Sequence, residues 1–343
     1  MKTVLVTGGA GYIGSHTVQV LLQKGYSVVV LDNLTTGHRE AIDVLSQSLK
    51  GTSSEQLSFY HGDIADRALV KEIVVRHDVN AVIHFAAKSL VGESMQRPDL
   101  YFLENTGKSV QLFSTLQECG VRHIIFSSTA AVYGIPEQIP ISETIRKQPV
   151  NPYGESKLMI EQSLRWMEEA YGVKWVALRY FNAAGASLNG EIGEDHDPET
   201  HLIPLVLKTA LGQRESIHIF GTDYDTPDGT CIRDYIHVLD LAEAHVLALA
   251  ALQRGMASGA WNVGTGNGYT VREVIEMART VTGREIRSIE AERRAGDPAV
   301  LVADASLIMT RLNWRPKYGL RDMIESAWQW HVNRPEGYSE APN

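Results

Sequence analysis

Residues 3–16, TVLVTGGAGYIGSH, decide the fold. A β-branched run, Thr3–Thr7, ends on glycines at 8, 9, 11 and 14 and passes directly into a helical stretch. Gly8, Gly11 and Gly14 are spaced three apart, and Gly9, Gly11 and Gly14 also satisfy G-x-G-x-x-G. Without Cβ atoms at these points, the chain turns tightly and brings backbone N–H groups against a pyrophosphate. The helix starting near Tyr12 adds its positive end. A glycine pattern alone fits many ordinary turns. Its place after a strand and before a helix is the context that makes it a nucleotide-binding turn.

The next strand, Ser27–Asp32, supports this reading. Asp32 lies 18 residues after Gly14, where a carboxylate accepts both ribose hydroxyls of an adenosine and repels a 2′-phosphate, favouring NAD over NADP. Alone, Asp32 would be a strand-end turn residue. Further strands are expected at Leu57–Tyr60, Ala81–Ala87, His123–Ser128 and Trp175–Tyr180, with helices at Ser15–Lys24, Arg67–Arg76, Thr106–Glu118 and Tyr153–Ala170. Alternation at this spacing predicts βαβ units and a parallel sheet. Near-continuous apolar runs such as AVIHFAA (81–87) predict strands covered on both faces. Asp63 in HGDI (61–64) reads alone as a helix N-cap; beside a nucleotide it would reach the adenine edge.

After Asn182 the pattern changes. Residues 183–198 are rich in Gly, Asn, Asp and Glu and read as loop. Later elements are irregularly spaced: SIHIFG (216–221), a helix over 239–252, AWNVG (260–264) and a helix over 271–282 opened by a Thr270/Glu273 capping box. The expected fold is α/β: a Rossmann-like doubly wound parallel sheet over 1–182, with a smaller mixed α/β substrate-binding lobe over 183–343. Some segments of that lobe are expected to pack back on the first domain. The cleft between the lobes is the natural substrate site.

The second chemical motif is NPYGESK (151–157). Asn151 and Pro152 suit a helix start, and positions four apart share a helix face. Tyr153 and Lys157 then point together toward the sheet's carboxyl edge. A phenol of pKa about 10 is a poor base at neutral pH; a neighbouring ammonium, and the positive nicotinamide of NAD, lower that value. The pair supplies a base for an alcohol proton as hydride leaves the same carbon. Such spacing is common on surfaces. What distinguishes it here is the hydroxyl cluster Ser127, Ser128, Thr129 at the end of the preceding strand.

Composition excludes several alternatives. The 343 residues fit about two domains at roughly 150 residues each. With 44% apolar and 21% charged residues the chain is an ordinary globular one. Its net charge of −9 and pI near 5.8 lack a nucleic-acid footprint. No run approaches the roughly 18 apolar residues of a membrane span, and the short run after Lys2 is a strand rather than a secretory signal. Two cysteines, Cys119 and Cys231, form no Cys-x-x-Cys pair, and reduced, cytoplasmic thiols fit best. The densest histidine cluster, EDHDPETH (194–201), places His196 and His201 five apart, which matches no standard ligand spacing. It reads as a solvated loop, and no metal is expected.

With these elements in order, the sequence resembles the extended short-chain dehydrogenase/reductase superfamily and, within it, the UDP-glucose/UDP-galactose 4-epimerases. The matching segments are VTGGAGYIGSH, VVLDNLTTG, GDIAD, VIHFAA…VGES, FSSTAAVYG, PYGESKLMIE, LRYFNAAGA, GTDYDTPDGTCIRDYIHVLDLA, NVGTG and RRAGDPA, from residue 3 to about 304. The resemblance implies that Tyr153 removes the sugar 4-hydroxyl proton while tightly held NAD takes hydride from C4. The 4-keto sugar then turns over and receives hydride on its other face. Lys157 would bind the nicotinamide ribose and tune Tyr153, and Thr129 would assist the proton transfer. Gly8, Gly11, Tyr12, Ile13, Gly14, Asp32, Asn33, Asp63, Ile64, Phe85, Ala86, Ala87, Ser89 and Phe181 would line NAD. Asn182 would contact the diphosphate. His201, Leu202, Phe220, Arg233, Arg294 and Asp297 would hold the nucleotide end of a UDP-sugar. Such proteins commonly form homodimers through first-lobe helices, for which 105–120 is a candidate.

Three positions depart from the pattern. Ser89, preceded by Lys88, stands where many members have lysine. Glu104 replaces an asparagine near the cofactor. Leu301 stands where members limited to glucose and galactose often carry a bulky tyrosine, leaving room beside sugar C2 for an N-acetyl group. The rival sugar-nucleotide 4,6-dehydratases have Asp-Glu after the threonine, where this chain has Ala130 and Ala131. A reductase would release its cofactor. A non-catalytic NAD-binding protein would have lost Tyr153 and Lys157.

Overall fold

The computed structural model describes residues 2–49, 56–294 and 296–339; Ala295 of the RRAGDPA segment lies outside them. The first half contributes strands β1 (Thr3–Thr7), β2 (Ser27–Asp32), β3 (Leu57–His61), β4 (Val79–His84), β5 (His123–Thr129) and β6 (Lys174–Tyr180). The second half adds β7 (Asn182–Ala184), β8 (Ile217–Phe220), β9 (Ile232–His237), β10 (Gly259–Val263), β11 (Gly268–Thr270), β12 (Ser288–Ala291) and β13 (Val300–Leu301). The helices are α1 (Tyr12–Gln23), α2 (Arg39–Ser48), α3 (Arg67–His77), α4 (Val91–Gln96), α5 (Pro98–Tyr101), α6 (Lys108–Glu118), α7 (Pro152–Tyr171), α8 (Leu202–Ala210), α9 (Val238–Gln253), α10 (Val271–Thr282), α11 (Ser306–Leu312) and α12 (Leu320–Asn333). A π-helical segment, Phe102–Gly107, joins α5 to α6.

The main sheet is parallel throughout, in the order β10-β6-β5-β4-β1-β2-β3. The chain direction of strand addition reverses between β1 and β4, and ligands of open α/β sheets bind outside the carboxyl ends at such a point. Side chains alternate faces along each strand. Val4 and Val6 join the core under α1, α2 and α9, whereas Leu5 joins Val70, Leu112 and Leu164 under α3, α6 and α7. Both faces are thus covered, which explains the unbroken apolar runs in the sequence.

The segment 260–264, read with the second lobe, supplies β10, the seventh strand of the main sheet. Its helix α9 packs on α1 and on the same core. The strand expected over 81–87 is β4, which ends at His84; Phe85 and Ala86 both turn back to bond Thr7 O. The second lobe centres on β9, which pairs with β11 antiparallel and with β7 and β13 in parallel. A separate core joins α8, α10 and α12. The Thr270/Glu273 capping box forms as expected. No helix among the described residues is long and apolar enough to cross a membrane.

Candidate active site

The glycine turn lies at the carboxyl end of β1. Gly8 has φ +71°, and a Cβ there would sit 2.5 Å from Ala86 N; a Cβ on Gly14 would sit 2.1 Å from Gly8 O. No larger residue fits either position. Gly11 is the N-cap of α1 and offers no side chain to cap it, so the first N–H groups of the helix are free to bind an anion. Asp32 closes the cradle. Its Oδ2 accepts the Ala10 N–H at 2.9 Å and its Oδ1 the Leu34 N–H at 2.8 Å. Burial raises its pKa, while these two N–H bonds oppose that rise. Each carboxylate oxygen keeps a second lone pair for a ribose hydroxyl. These features fit the adenosine and pyrophosphate of NAD.

Asp63 is not a helix N-cap. Asp66 caps α3, accepting from Ala68 and Leu69 N–H. Asp63 instead takes the Ala65 N–H and pairs with Lys108 Nζ at 2.6 Å. Lys108 also meets Glu104 at 2.7 Å. The acidic residue at 104 is therefore balanced locally by a lysine one turn on.

Asn151 caps α7 through the Gly154 N–H, and Tyr153 and Lys157 project inward, 9% and 3% exposed. Lys157 Nζ lies 6.0 Å from the Tyr153 ring centre and donates to Ser127 O at 3.0 Å. Burial pulls Lys157 down to about 7, with Glu161 opposing. Burial, with Tyr180 and Tyr101 adding, also pushes Tyr153 well above its ordinary range, whereas a hydrogen bond with Thr129 draws it back. The sequence reading expected Lys157 to lower the phenol. Here burial outweighs the Thr129 hydrogen bond, and Lys157 adds no lowering of its own. Thr129 ends β5, 8% exposed, and its hydroxyl also accepts the Ala131 N–H.

Among the residues expected at the nucleotide end, two pairs form. Arg233 on β9 donates to Asp297 Oδ1 at 2.8 Å, and Leu301 on β13 is its register partner. The Arg294 guanidinium lies 4.0 Å over the Phe220 ring. Leu301 and Phe181 pack on the same small cluster of Ala130, Val132, Tyr133 and Ile141, which places Leu301 beside the segment that follows Thr129. Asn182 opens β7 against Tyr235. His201 is the N-cap residue of α8, and Leu202 is its first residue. Phe85, Ala86 and Ala87 form the partly buried wall after β4, with Ser89 exposed just beyond; Ile64 is buried beneath Asp63, and Ile13 and Asn33 flank the cradle.

Residues 4–264 match the model of the NAD dependent epimerase/dehydratase family. The chain belongs to this family. A relative from Halalkalibacterium halodurans named UDP-glucose 4-epimerase is 54% identical over 98% of this chain and 97% of its own length. A solved UDP-glucose 4-epimerase structure is 49% identical, with TM-score 0.93, covering 99% of this chain and all of that one. Another, from Bifidobacterium longum in complex with NAD+ and UDP, is 40% identical, with TM-score 0.91, covering 98% of this chain and 100% of that one. The cofactor of this family member is NAD.

Three parts of the family member's site escaped the sequence reading. Glu161 and Arg179 form a buried pair, 5% and 6% exposed, joined by Arg179 Nε at 2.9 Å and Nη2 at 2.5 Å. Ser128 Oγ donates to Glu161 at 2.6 Å, and Arg179 Nη1 donates to Tyr133. This network fixes the strand end that carries Thr129. Asn105 braces the loop after β4, accepting the Lys88 N–H and donating to Lys88 O and Ser156 Oγ. His84 links Thr7 and Ser109, and burial lowers it to about 3, so it is neutral. Each depends on partners distant in sequence.

The segment 194–201 is a loop as expected, exposed at Asp197, Pro198, Thr200 and His201, but its glutamates are not solvated. The Glu194 and Glu199 side chains are only 6% and 4% exposed, and His196 and His201 fold onto them. Packing against Tyr12 and Trp330 holds the segment in.

Proposed function

We propose that the protein interconverts UDP-galactose and UDP-glucose by transient oxidation at sugar C4. The observation that carries this reading is the meeting of Tyr153, Lys157 and Thr129 at the carboxyl end of β5, beside a turn that only glycine can form. NAD, when bound, supplies a hydride acceptor that returns the hydride later in the same cycle. Tyr153 takes the 4-hydroxyl proton and gives it back, and the Thr129 hydroxyl shares that hydrogen bond. Lys157 donates to the nicotinamide ribose and, when protonated, stabilises the phenolate. Its burial, with that of Tyr153, excludes water from the proton transfer.

Asn182, Arg233 and Arg294 neutralise the substrate diphosphate, since guanidinium binds phosphate bidentately. Phe220 and the His201–Leu202 turn hold the base, and Asp297 orients Arg233. A chain divided near residue 182, with 238–263 returning to the first sheet, sets these groups across a cleft from the cofactor. Leu301, half-buried beside Arg233, supports a second activity on UDP-N-acetylglucosamine. The exposed apolar side chains Met95, Leu103, Val110, Met159 and Trp166 on the neighbouring α4, α6 and α7 region support a homodimer, which light scattering tests. Two free cysteines fit a cytoplasmic protein.

The test is Tyr153→Phe. Turnover of UDP-galactose is expected to collapse while NAD and UDP-sugar still bind. Unchanged turnover removes the assignment.

A further inference from the structure

We propose that Glu194, His196, Glu199 and His201 form a tetrahedral site for one zinc-type divalent cation that clamps the second lobe to the start of α1. One donor atom from each residue lies within 4.8 Å of all the others. His196 Nδ1 is 3.4 Å from Glu194 Oε1 and 3.6 Å from Glu199 Oε2. Ligand bonds of about 2.1 Å set tetrahedral donor atoms about 3.4 Å apart. The His201–Glu194 hydrogen bond, at 2.6 Å, is closer, and an opening of under an ångström lets an ion take its place.

Two atoms of the cluster are buried with no hydrogen-bond partner, His196 Nδ1 and Glu199 Oε2. Leaving such atoms unsatisfied costs free energy, and a cation between them removes that cost. The Glu199 carboxylate is already aimed: its Oε1 accepts the Thr200 and His201 N–H groups at 2.6 and 2.8 Å, leaving Oε2 to face the cluster. Outer bonds of this kind orient metal ligands. The two nearly buried carboxylates pair with the two imidazoles here, and a dication would take the place of the protons those pairs hold. Two imidazoles and two carboxylates suit zinc better than the all-oxygen cations calcium and magnesium. The separation of His196 and His201, set aside in the sequence, leaves four residues between them and falls within the His-x3–5-His spacing of zinc sites.

The position gives the cation a structural role. The Tyr12 ring meets His196 edge-on at 6.3 Å, and Tyr12 OH donates to Gly185 O at 2.6 Å. Trp330 Nε1 on α12 donates to Glu194 O. His201 leads into α8. One ion would therefore join the helix of the glycine turn to α8 and α12.

The experiment uses the intact protein, stripped with chelator and titrated with Zn²⁺ and, separately, Co²⁺. One Zn²⁺ per chain is expected, with a rise in melting temperature, and Co²⁺ should give the intense visible bands of a tetrahedral ion. His196→Gln and Glu199→Gln should each weaken binding by about a hundredfold or more, beyond the 10- to 100-fold seen for outer-shell changes. Weak, non-stoichiometric binding overturns the proposal, as does an octahedral Co²⁺ spectrum in the wild-type protein. Equal affinity in both variants would place the ion on other histidines and also overturn it. If a variant does not fold, the wild-type stoichiometry and cobalt spectrum still decide.

Discussion

Replacing Arg179 by methionine isolates the network behind the catalytic strand end. Glu161 would keep only the Ser128 hydrogen bond at 2.6 Å and lose both guanidinium contacts. At 5% exposure the carboxylate has almost no water to replace them. Removing one member of a buried pair costs about 3–5 kcal/mol, because the remaining charge is uncompensated. With a melting entropy of about 2.1 cal/mol/K per residue, a chain of this size shifts by roughly 1.4 °C per kcal/mol, so Arg179→Met should melt about 4–7 °C lower at pH 7. The double variant Arg179→Met/Glu161→Gln should recover at least half of the loss, since a neutral amide still accepts from Ser128. Urea titrations of the four proteins form the cycle that measures the coupling. A double variant no more stable than Arg179→Met would mean the loss comes from packing around the arginine stem, and the electrostatic argument would fail.

Tyr153→Phe should lower kcat by about 10²- to 10⁴-fold, the range for a positioned proton-transfer group, with bound NAD unchanged by absorbance. Lys157→Met should stabilise the fold most at and below pH 7. In the unfolded chain lysine titrates near 10.4, whereas burial brings Lys157 to about 7 in the native protein. Between these values unfolding takes up a proton, so wild-type stability rises with pH; below 7 the full penalty remains. The urea-midpoint gap between variant and wild type should therefore narrow from pH 7 to 10, and a constant gap would contradict the burial effect. Leu301→Tyr should reduce turnover of UDP-N-acetylglucosamine by roughly 10- to 100-fold relative to UDP-galactose. Equal effects on the two substrates would remove Leu301 from the specificity argument.

The fold was legible where one local pattern determined it. Thr3–Gly14 and Ser27–Asp32 predicted β1, α1 and β2 because a strand buried on both faces has little freedom in composition. The Tyr153 helix was legible because Asn151 and Pro152 mark its start locally. The place of 259–263 was not, since a short apolar run does not state which sheet it joins. Nor were Glu161 and Arg179, 18 residues apart and on different elements. In the loop 194–201 polar composition suggests solvent throughout, which holds for Asp197 and Thr200, while the backbone turns Glu194 and Glu199 inward. Asp63 and Asp66 both fit a helix start, and only the geometry of α3 separates them.

The central claim is that hydride leaves C4 and returns to C4 within one active site. UDP-galactose carrying deuterium at C4 tests it directly. The account predicts UDP-glucose with the deuterium retained at C4 and none lost to water. Conversion with loss of the label would mean the C4 hydrogen leaves as a proton, contradicting the account.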